Sequence, residues 1–350
     1  MRGSFGTGAM ERLTVTPALL STLGAVREHK GRQELYKRTA PGVLETLLEV
    51  ARIQSVESSN RIEGITAPTA RINELVRDKT TPGNRSEAEI AGYRDALATI
   101  HANAKGMRFT PGLVLQLNRG MCRFLPDPGG RWKDSDNEIE ETLTDGSKRI
   151  RFTPVPAFQT AEAMDVLHAR FNAERDAATI DELVLVAAYA LDFLCIHPFG
   201  DGNGRMSRLL SLVLLYQADY EVGRYVSLER LIEESKDTYV DALEASSVDW
   251  HGGAHDLLPW MEYFAGVVLA AYRELEMRVG DVTSERGAKS QMVLGCIDRL
   301  PSTFRIADIE RACPHVSRPT INRVLRAERL AERVRCIKQG RDATWEKMDS

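Results

Sequence analysis

Residues 196–208 have the sequence IHPFGDGNGRMSR, which combines a histidine, an aspartate, three glycines and two arginines in a short segment. Apolar segments flank it, DELVLVAAYALDFLCI at 181–196 and MSRLLSLVLLYQA at 206–218, and both predict buried helices. The stretch is therefore expected to be a tight loop that leads into a helix N-terminus. Unpaired backbone N–H groups and the positive end of the helix dipole make such a place an anion site.

The side chains of this loop fit a site that binds phosphates. Gly202 and Gly204 lack Cβ atoms, so the backbone can approach phosphate oxygens closely. Asn203, between them, can donate a side-chain hydrogen bond. Arg205 and Arg208 are three residues apart and share one helical face, where two guanidinium groups can hold further phosphates.

Two residues of the loop add reactivity. Asp201 offers the hard oxygen ligand that Mg²⁺ takes beside a polyphosphate. His197 has an ordinary pKa of about 6.5 and can accept a proton from a hydroxyl group near neutral pH. A purely structural loop has no need to combine a base, a metal ligand, an anion-binding backbone and two arginines, so the sequence predicts phosphate transfer.

The segment from His197 to Arg208 resembles the signature H-P-F-x-[DE]-G-N-G-R-x-x-R of the Fic family at every defined position. The resemblance implies a mainly α-helical Fic fold with a β-hairpin flap. It also implies an enzyme that transfers AMP from ATP to a Ser, Thr or Tyr hydroxyl of a protein, with Mg²⁺ as cofactor and pyrophosphate as product. The chain itself is among the targets that such an enzyme can modify.

The same resemblance implies a role for each residue of the motif. His197 is the catalytic base, Asp201 is the metal ligand, and Phe199 anchors the loop in the core. From the helix that follows, SKDTYVDALEASS at 235–247, Tyr239 and Ser246 are candidates to contact the nucleoside. The residues expected to bind ATP and its metal are Gly200, Asp201, Gly202, Asn203, Gly204, Arg205, Arg208 and Tyr239.

A second motif, SSNRIEG at 58–64, lies upstream at the end of a predicted helix. Ser59, Glu63 and Gly64 match the [ST]-x-x-x-E-[GN] pattern of the Fic inhibitory helix, and its position resembles the class with an N-terminal inhibitory helix. The resemblance implies that Glu63 pairs with Arg208 and keeps it from the γ-phosphate. Related enzymes also use this glutamate to position water, so a hydrolase that removes AMP stays open as an alternative.

The segment between Gly130 and Pro156 predicts a β-hairpin, with Asp145-Gly146 as its turn. It resembles the Fic flap, which implies that an extended segment of the target protein docks on residues 130–156 by strand addition. Trp132, Asn137 and Ile139 are expected to lie in its first strand. Core packing and target contact are both open for Trp132.

The C-terminal residues 290–350 predict a winged helix-turn-helix domain. Helices are expected at 291–300, 305–313 and 318–330, followed by a hairpin with Gly340 at its tip. Residues 289–350 hold 13 Lys/Arg against 8 Asp/Glu, a net +5, whereas the whole chain carries −4. The basic side chains favour DNA as a partner; dimerisation, protein recognition and a DNA-binding regulator with a nucleotide-sensing Fic domain stay open. The candidate DNA contacts are Arg318, Thr320, Asn322, Arg323, Arg326, Lys338 and Arg341.

Composition limits the remaining functions. The 350 residues suffice for two or three domains, and the net charge of −4 argues against a chain that binds nucleic acid or membrane along its whole length. Five scattered cysteines without a Cys-x-x-Cys pair predict a reducing, cytoplasmic location. No apolar run is long enough to span a membrane, and the first ten residues lack the apolar core of a signal peptide. His251 and His255 are expected in a loop without a metal, because paired glycines separate them.

These observations predict five segments. Residues 1–14 are expected to be disordered or extraneous to the fold, and residues 279–289 to form a polar linker. The others are an N-terminal helical region at 15–110, the Fic catalytic core at 111–278 and the winged helix at 290–350. Ser86 and Glu89 are expected to form a capping box at a helix start.

Overall fold

The structure, a computed structural model, describes residues 3–6, 8–142, 147–284, 288–331, 333–338, 340 and 343–348. Over these residues the protein is mainly α-helical with two small antiparallel sheets, as the sequence predicts. Two compact units form, Met1–Gln33 with Thr46–Leu275 and Glu34–Glu45 with Glu276–Ser350. The boundary predicted after residue 110 lies inside the first unit, and residues 290–350 lie inside the second.

The helices are α1 (Pro17–Thr39), α2 (Pro41–Ile62), α3 (Thr69–Asn73), α4 (Arg85–Asn103), α5 (Pro111–Met121), α6 (Ala157–Ala177), α7 (Glu182–Ile196), α8 (Asn203–Gln217), α9 (Leu228–Glu234), α10 (Lys236–Ser247), α11 (Leu258–Ser284), α12 (Ala288–Arg299), α13 (Ile306–Ala312) and α14 (Arg318–Leu330). The strands are β1 (Ile139–Thr142), β2 (Lys148–Phe152), β3 (Thr303–Arg305), β4 (Val334–Lys338) and β5 (Thr344–Lys347).

Helix α7 forms the centre of the first unit. Every residue from Leu183 to Ile196 is buried, and the helix packs against α6, α8 and α10. Its apolar sequence therefore reflects contact on all sides, as predicted. None of the described helices is both long and apolar enough to cross a bilayer.

Helix α2 carries the upstream motif and ends where the sequence predicts. Gly64 follows the helix with φ of 77°, a left-handed conformation that glycine adopts without strain. The N–H of Ile65 donates to the Asn60 carbonyl at 3.0 Å, which satisfies one of the last carbonyls of the helix. Glu63 is thereby fixed just beyond the helical end.

The prediction that residues 1–14 are disordered is wrong for the described part of this segment. Ser4 is 3% exposed, and its backbone N–H and Oγ donate to the buried carboxylate of Asp192 on α7. Phe5 packs edge-on against Phe171, with ring centroids 5.8 Å apart. The segment is thus held by the Ser4 N–H and hydroxyl and by the Phe5 ring. It contains no apolar run from which its order could have been predicted.

Two local predictions also need correction. Asn84, rather than Ser86, caps helix α4, and its side chain accepts from the Glu87 N–H. Residues 279–284, predicted as linker, continue helix α11. The polar composition of that segment is that of a solvated helix as much as of a loop.

The predicted flap is an antiparallel pair of β1 and β2, in which Glu140 lies opposite Ile150 and Glu141 opposite Arg149. Ile139 begins β1 as predicted, but Trp132 and Asn137 precede the strand, because pairing with β2 starts only at residue 139. Side chains of strand β2 are largely exposed, including Ile150 at 51%. The predicted turn at Asp145-Gly146 lies outside the described residues.

The second unit contains the predicted winged helix-turn-helix. Helices α12, α13 and α14 surround a core with Val293, Ile309 and Ile321, and Trp345 of β5 packs into it. The three-stranded sheet has the order β3-β5-β4. Strand β3, only three residues long, was not predicted, because its pairing with β5 is non-local.

Candidate functional site

The motif forms the predicted loop between helices α7 and α8. His197 ends α7 in a left-handed conformation, with φ of 53° and ψ of 60°, and its N–H donates to the Phe193 carbonyl at 2.9 Å. Gly202 has φ of 78° and directly precedes α8. Left-handed conformations therefore mark both ends of the loop, and at Gly202 this conformation costs no strain because glycine lacks a Cβ atom.

The loop is closed by its own asparagine. Asn203 is 2% exposed; its Oδ1 accepts from the Phe199 N–H at 2.9 Å, and its Nδ2 donates to the Phe199 carbonyl at 2.7 Å. The side chain predicted to contact phosphate thus holds the loop together. Phe199 is buried as predicted, and Trp132 packs on it with ring centroids 5.4 Å apart, which gives Trp132 a packing role.

His197 is arranged as a neutral base. Its Nδ1 lies 3.2 Å from the Leu194 carbonyl, which can only accept, so Nδ1 carries the proton and Nε2 has a free lone pair. Burial lowers the pKa of His197 to about 4, outweighing the Leu194 carbonyl, which favours the charged ring. The imidazole is therefore unprotonated at neutral pH, as a general base must be.

Arg205 is held by an acidic partner on another helix. It is 3% exposed, and Nη1 lies 2.7 Å from Oε2 of Glu89 on α4. Glu89 was assigned to a capping box from sequence, but it is 4% exposed and faces the motif instead. Because the arginine is buried and paired, its side chain is restricted to few rotamers. It therefore presents a fixed positive charge to the loop.

Arg208 contacts the upstream motif. Its Nε donates to Ser59 Oγ and one Nη2 bond reaches the Ser59 carbonyl, both at 2.9 Å. The same Nη2 lies 2.7 Å from Oε1 of Glu63. Burial raises the pKa of the Glu63 carboxyl, but Arg208, with Arg205 and Lys236, lowers it on balance, so the pair is ionised.

Gly204 makes this approach possible. A Cβ atom at position 204 would lie 2.2 Å from Oε1 of Glu63, so no larger residue fits while Glu63 occupies the site. Glu63 therefore lies against the first turn of α8, at the backbone predicted to hold phosphates. The carboxylate occupies the place of an anion at a helix N-terminus.

A cavity of about 230 Å³ lies beside His197 and Gly204. Tyr239, for which a nucleoside contact is predicted, lines this cavity, and its ring packs edge-on against Trp260. Ser246 does not line this cavity. Its side chain is fully buried and accepts from the backbone N–H of Trp260 at 3.1 Å. The other lining residues are Ile62, Glu63, Ile139, Arg151, Phe152, Leu191, Leu194, Cys195, Lys236, Val240, Leu243 and Ser247.

Asp201 is the residue of the loop that suits a metal. Its side chain is 74% exposed, and one oxygen accepts from the Gly202 N–H at 2.6 Å. Among the described residues, no three His, Cys, Asp or Glu side chains form a ready metal cage. Mg²⁺ commonly binds one or two carboxylates together with substrate phosphates and water, so a single exposed carboxylate beside an anion site fits it.

Sequence reasoning did not identify several residues that shape this site. Glu89 had a usable signal, because it falls on the same helical face as the buried Tyr93 and Leu97. No sequence pattern marks Lys133 as part of the site. It is a buried lysine whose N–H donates to the Pro198 carbonyl at 2.8 Å. Lys236 donates to the Ile62 carbonyl at the end of α2.

The two histidines of the HGGAH segment have other partners. His251 stacks on Phe152, and its Nε2 lies 2.9 Å from the Thr153 carbonyl. His255 Nε2 lies 2.9 Å from Ser4 Oγ. Each ring is therefore placed by a different part of the first unit.

Comparison with known proteins identifies the family of the central region. Residues 108–215 match the Fic/DOC family, so the chain contains a Fic/DOC family domain that includes α5 to α8 and the complete motif.

Individual relatives are distant. The fold is similar to that of a Fic family protein from Desulfovibrio desulfuricans G20, with a TM-score of 0.64 at 20% identity, covering 96% of this chain and 98% of that one. It is also similar to a Fic domain containing signaling protein from Bacteroides thetaiotaomicron VPI-5482, with a TM-score of 0.60 at 21% identity, covering 73% and 98%. In sequence, 201 residues are 22% identical to the protein adenylyltransferase and cysteine protease IbpA of Histophilus somni (strain 2336). That match covers 56% of this chain and 5% of IbpA, so the chain spans about a twentieth of its length.

Proposed function

We propose that this protein is a Fic-type nucleotidyltransferase that moves AMP from ATP to a Ser, Thr or Tyr hydroxyl of a protein. The observation that carries the proposal is the state and position of His197. Its ring is neutral with Nε2 free, and it lines a cavity that Gly204, in the first turn of α8, lines as well. The Fic/DOC match over 108–215 and the adenylyltransferase named among the relatives support the same reaction class.

Each group of the loop has a task in this reaction. The hydroxyl oxygen of the target bonds to the α-phosphorus of ATP, its proton passes to His197 Nε2, and the bond to the bridging oxygen breaks to release pyrophosphate. Asp201 would hold Mg²⁺, which neutralises phosphate charge when bound. Arg205 and Arg208 are the buried cations that would bind the outer phosphates once Glu63 has released Arg208. Tyr239 would form the aromatic wall for the nucleoside.

Glu63 restrains the reaction. While its carboxylate holds Arg208 and lies against Gly204, the γ-phosphate can use neither. A charge-assisted hydrogen bond of this kind contributes about 1.5–3 kcal/mol, and this contact must break before ATP binds productively. The resting protein is therefore expected to transfer AMP slowly.

The test is mass spectrometry of Glu63→Gly protein incubated with ATP and Mg²⁺. We expect a mass gain of one AMP group, on this chain or on an added lysate protein, at a rate at least about tenfold above wild type, because removing one charged contact of this size corresponds to that factor or more. The control, Glu63→Gly combined with His197→Ala, should show no gain.

The alternatives give different results. If Glu63 serves a hydrolase, Glu63→Gly loses the ability to release AMP from a modified protein and gains no transfer activity. A protein that only senses nucleotide shows neither activity, and its ATP binding survives His197→Ala. Absence of AMP transfer by Glu63→Gly on every substrate tried would contradict the transferase.

We also propose that the second unit binds double-stranded DNA. Helix α14 exposes Arg318, Arg323, Arg326 and Arg329, whereas its only acidic residue, Glu328, is buried and paired with Arg333. The exposed charge of this helix is thus entirely positive, which suits a helix that lies in a major groove. Asn322 and Lys338 are exposed as well; Thr320 is half-buried, and Arg341 lies outside the described residues.

A further inference from the structure

Lys133 is a buried lysine for which the proposed reaction provides no role. It is 7% exposed and lies shortly before flap strand β1. Lysine is rarely buried unless its ammonium group has partners. The partners of Lys133 all belong to the segment that presents His197 or to the approach to the flap.

The contacts converge on the catalytic histidine. The backbone N–H of Lys133 donates to the Pro198 carbonyl at 2.8 Å, and the side-chain Nζ of Lys133 donates to the Ile196 carbonyl at 3.3 Å. These carbonyls belong to the two residues adjacent to His197. One residue thus fixes the backbone on both sides of the base.

His197 needs such support because of its conformation. A φ of 53° is left-handed, which a residue with a side chain keeps only when its surroundings enforce it. Of the terminal carbonyls of α7, His197 itself satisfies those of Phe193 and Leu194, through its N–H and Nδ1. The Ile196 carbonyl is satisfied by Lys133, whose positive charge is favourable at a helix C-terminus.

Asn137 keeps the ammonium group in place. Its Oδ1 accepts from Lys133 Nζ at 2.7 Å, and its Nδ2 donates to the Phe199 carbonyl at 3.0 Å. Burial lowers the pKa of Lys133 to about 8, with Asp136 acting in the opposite direction, so the group is largely charged at neutral pH. Residues 133 and 137 together bind the carbonyls of 196, 198 and 199.

We propose that Lys133 is a positioning residue that holds His197 in its left-handed conformation, with Nδ1 bonded to Leu194 and Nε2 free to accept the substrate proton. It touches no reacting atom and acts only through the backbone beside His197. The kinetic consequence rests on the proposed transferase function, whereas the conformational consequence does not.

The test compares Lys133→Met and Lys133→Arg, each in the Glu63→Gly background. Methionine keeps the unbranched stem and the backbone N–H but removes the ammonium donors, whereas arginine keeps charge and donors. We expect Lys133→Met to lower kcat on the order of 10- to 100-fold, because small misplacement of a catalytic group has effects of that size. KM for ATP should change less than about threefold, since no ATP-binding side chain is altered, and arginine should restore most of kcat.

Lys105→Met is the matched control. Lys105 is a half-exposed lysine of the same unit that pairs with Asp219, away from the motif. It should leave kcat unchanged. A kcat of Lys133→Met equal to that of Lys105→Met would overturn the positioning role.

A second readout does not depend on activity. The ¹⁵N chemical shifts of the His197 ring, assigned by their loss in His197→Ala, report which nitrogen carries the proton. Lys133→Met should weaken the fixed Nδ1–H form, and unchanged ring shifts would contradict the proposal even if Glu63→Gly proves inactive. If Lys133→Met does not fold, Asn137→Ala replaces it, because Asn137 holds the Lys133 ammonium group. A fall in kcat is expected, and an unchanged kcat would contradict the positioning role of Lys133.

Discussion

At the scale of single residues, the site depends on a few side chains whose partners fix their state. His197 is neutral because it is buried and its Nδ1 is bonded, not because its intrinsic basicity is unusual. Arg208 is fixed by Ser59 through two hydrogen bonds and by Glu63 through one. The serine of the upstream motif therefore holds Arg208 alongside the glutamate.

Ser59→Ala, with Glu63 intact, should raise the AMP-transfer rate by about tenfold, because one hydrogen bond to the charged Arg208 is lost. The Glu63 contact persists, so the increase should stay below that of Glu63→Gly. Initial rates of AMP incorporation measure both.

Ser58→Ala is the control for this change. Ser58 is buried on the same helix, one residue before Ser59. The hydrogen bonds of Arg208 to the upstream motif go to Ser59 and Glu63 instead. Equal rates for Ser58→Ala and Ser59→Ala would show that the effect comes from helix α2 in general and not from Arg208.

At the scale of elements, helix α2 is docked by a buried polar network as well as by apolar packing. Glu229 of α9 is 1% exposed, and its carboxylate accepts from Ser55 Oγ of α2 at 2.7 Å and from Tyr93 OH of α4 at 3.0 Å. A buried carboxylate needs all its donors. This network fixes where the end of α2, and therefore Glu63, lies.

Ser55→Ala should lower the free energy of unfolding by about 1–3 kcal/mol, because a buried charged acceptor loses a donor. Thermal or denaturant unfolding measures the change. Thr99→Ala, which removes an exposed hydroxyl bonded only within α4, should change the stability by less than about 0.5 kcal/mol. Equal effects of the two substitutions would mean that the Glu229 network does not stabilise the fold.

At the scale of the whole molecule, the charge is distributed unevenly between the C-terminal residues 289–350 and the rest of the chain. Residues 289–350 carry a net +5 in a chain of net −4, so the remainder carries about −9. An acidic body does not attract nucleic acid by itself. Any DNA affinity should therefore come from the second unit and from α14 in particular.

A DNA mobility-shift assay tests this. Wild-type protein should bind duplex DNA with an affinity that falls steeply between about 50 and 200 mM salt, and Arg323→Glu should weaken binding at least about tenfold, since a reversed charge both loses and repels a phosphate. Arg273→Glu makes the same charge change at an exposed position of the first unit and should have little effect. No binding even at low salt, or equal weakening by both variants, would exclude α14 as a DNA-binding surface.

Local sequence patterns were sufficient to predict the helices with strong apolar patterns, the loop from His197 to Arg208, the end of α2 at Gly64, and the flap and winged helix in outline. These features follow from local rules: hydrophobic periodicity, glycine conformations and motif spacing act over a few residues. Contacts between groups that are distant in the sequence could not be predicted in this way. Glu89 pairs with Arg205, Lys133 with the carbonyls beside His197, and Ser4 with Asp192. Such contacts depend on how helices pack, and burial then fixes rotamers and protonation states that spacing along the chain does not specify.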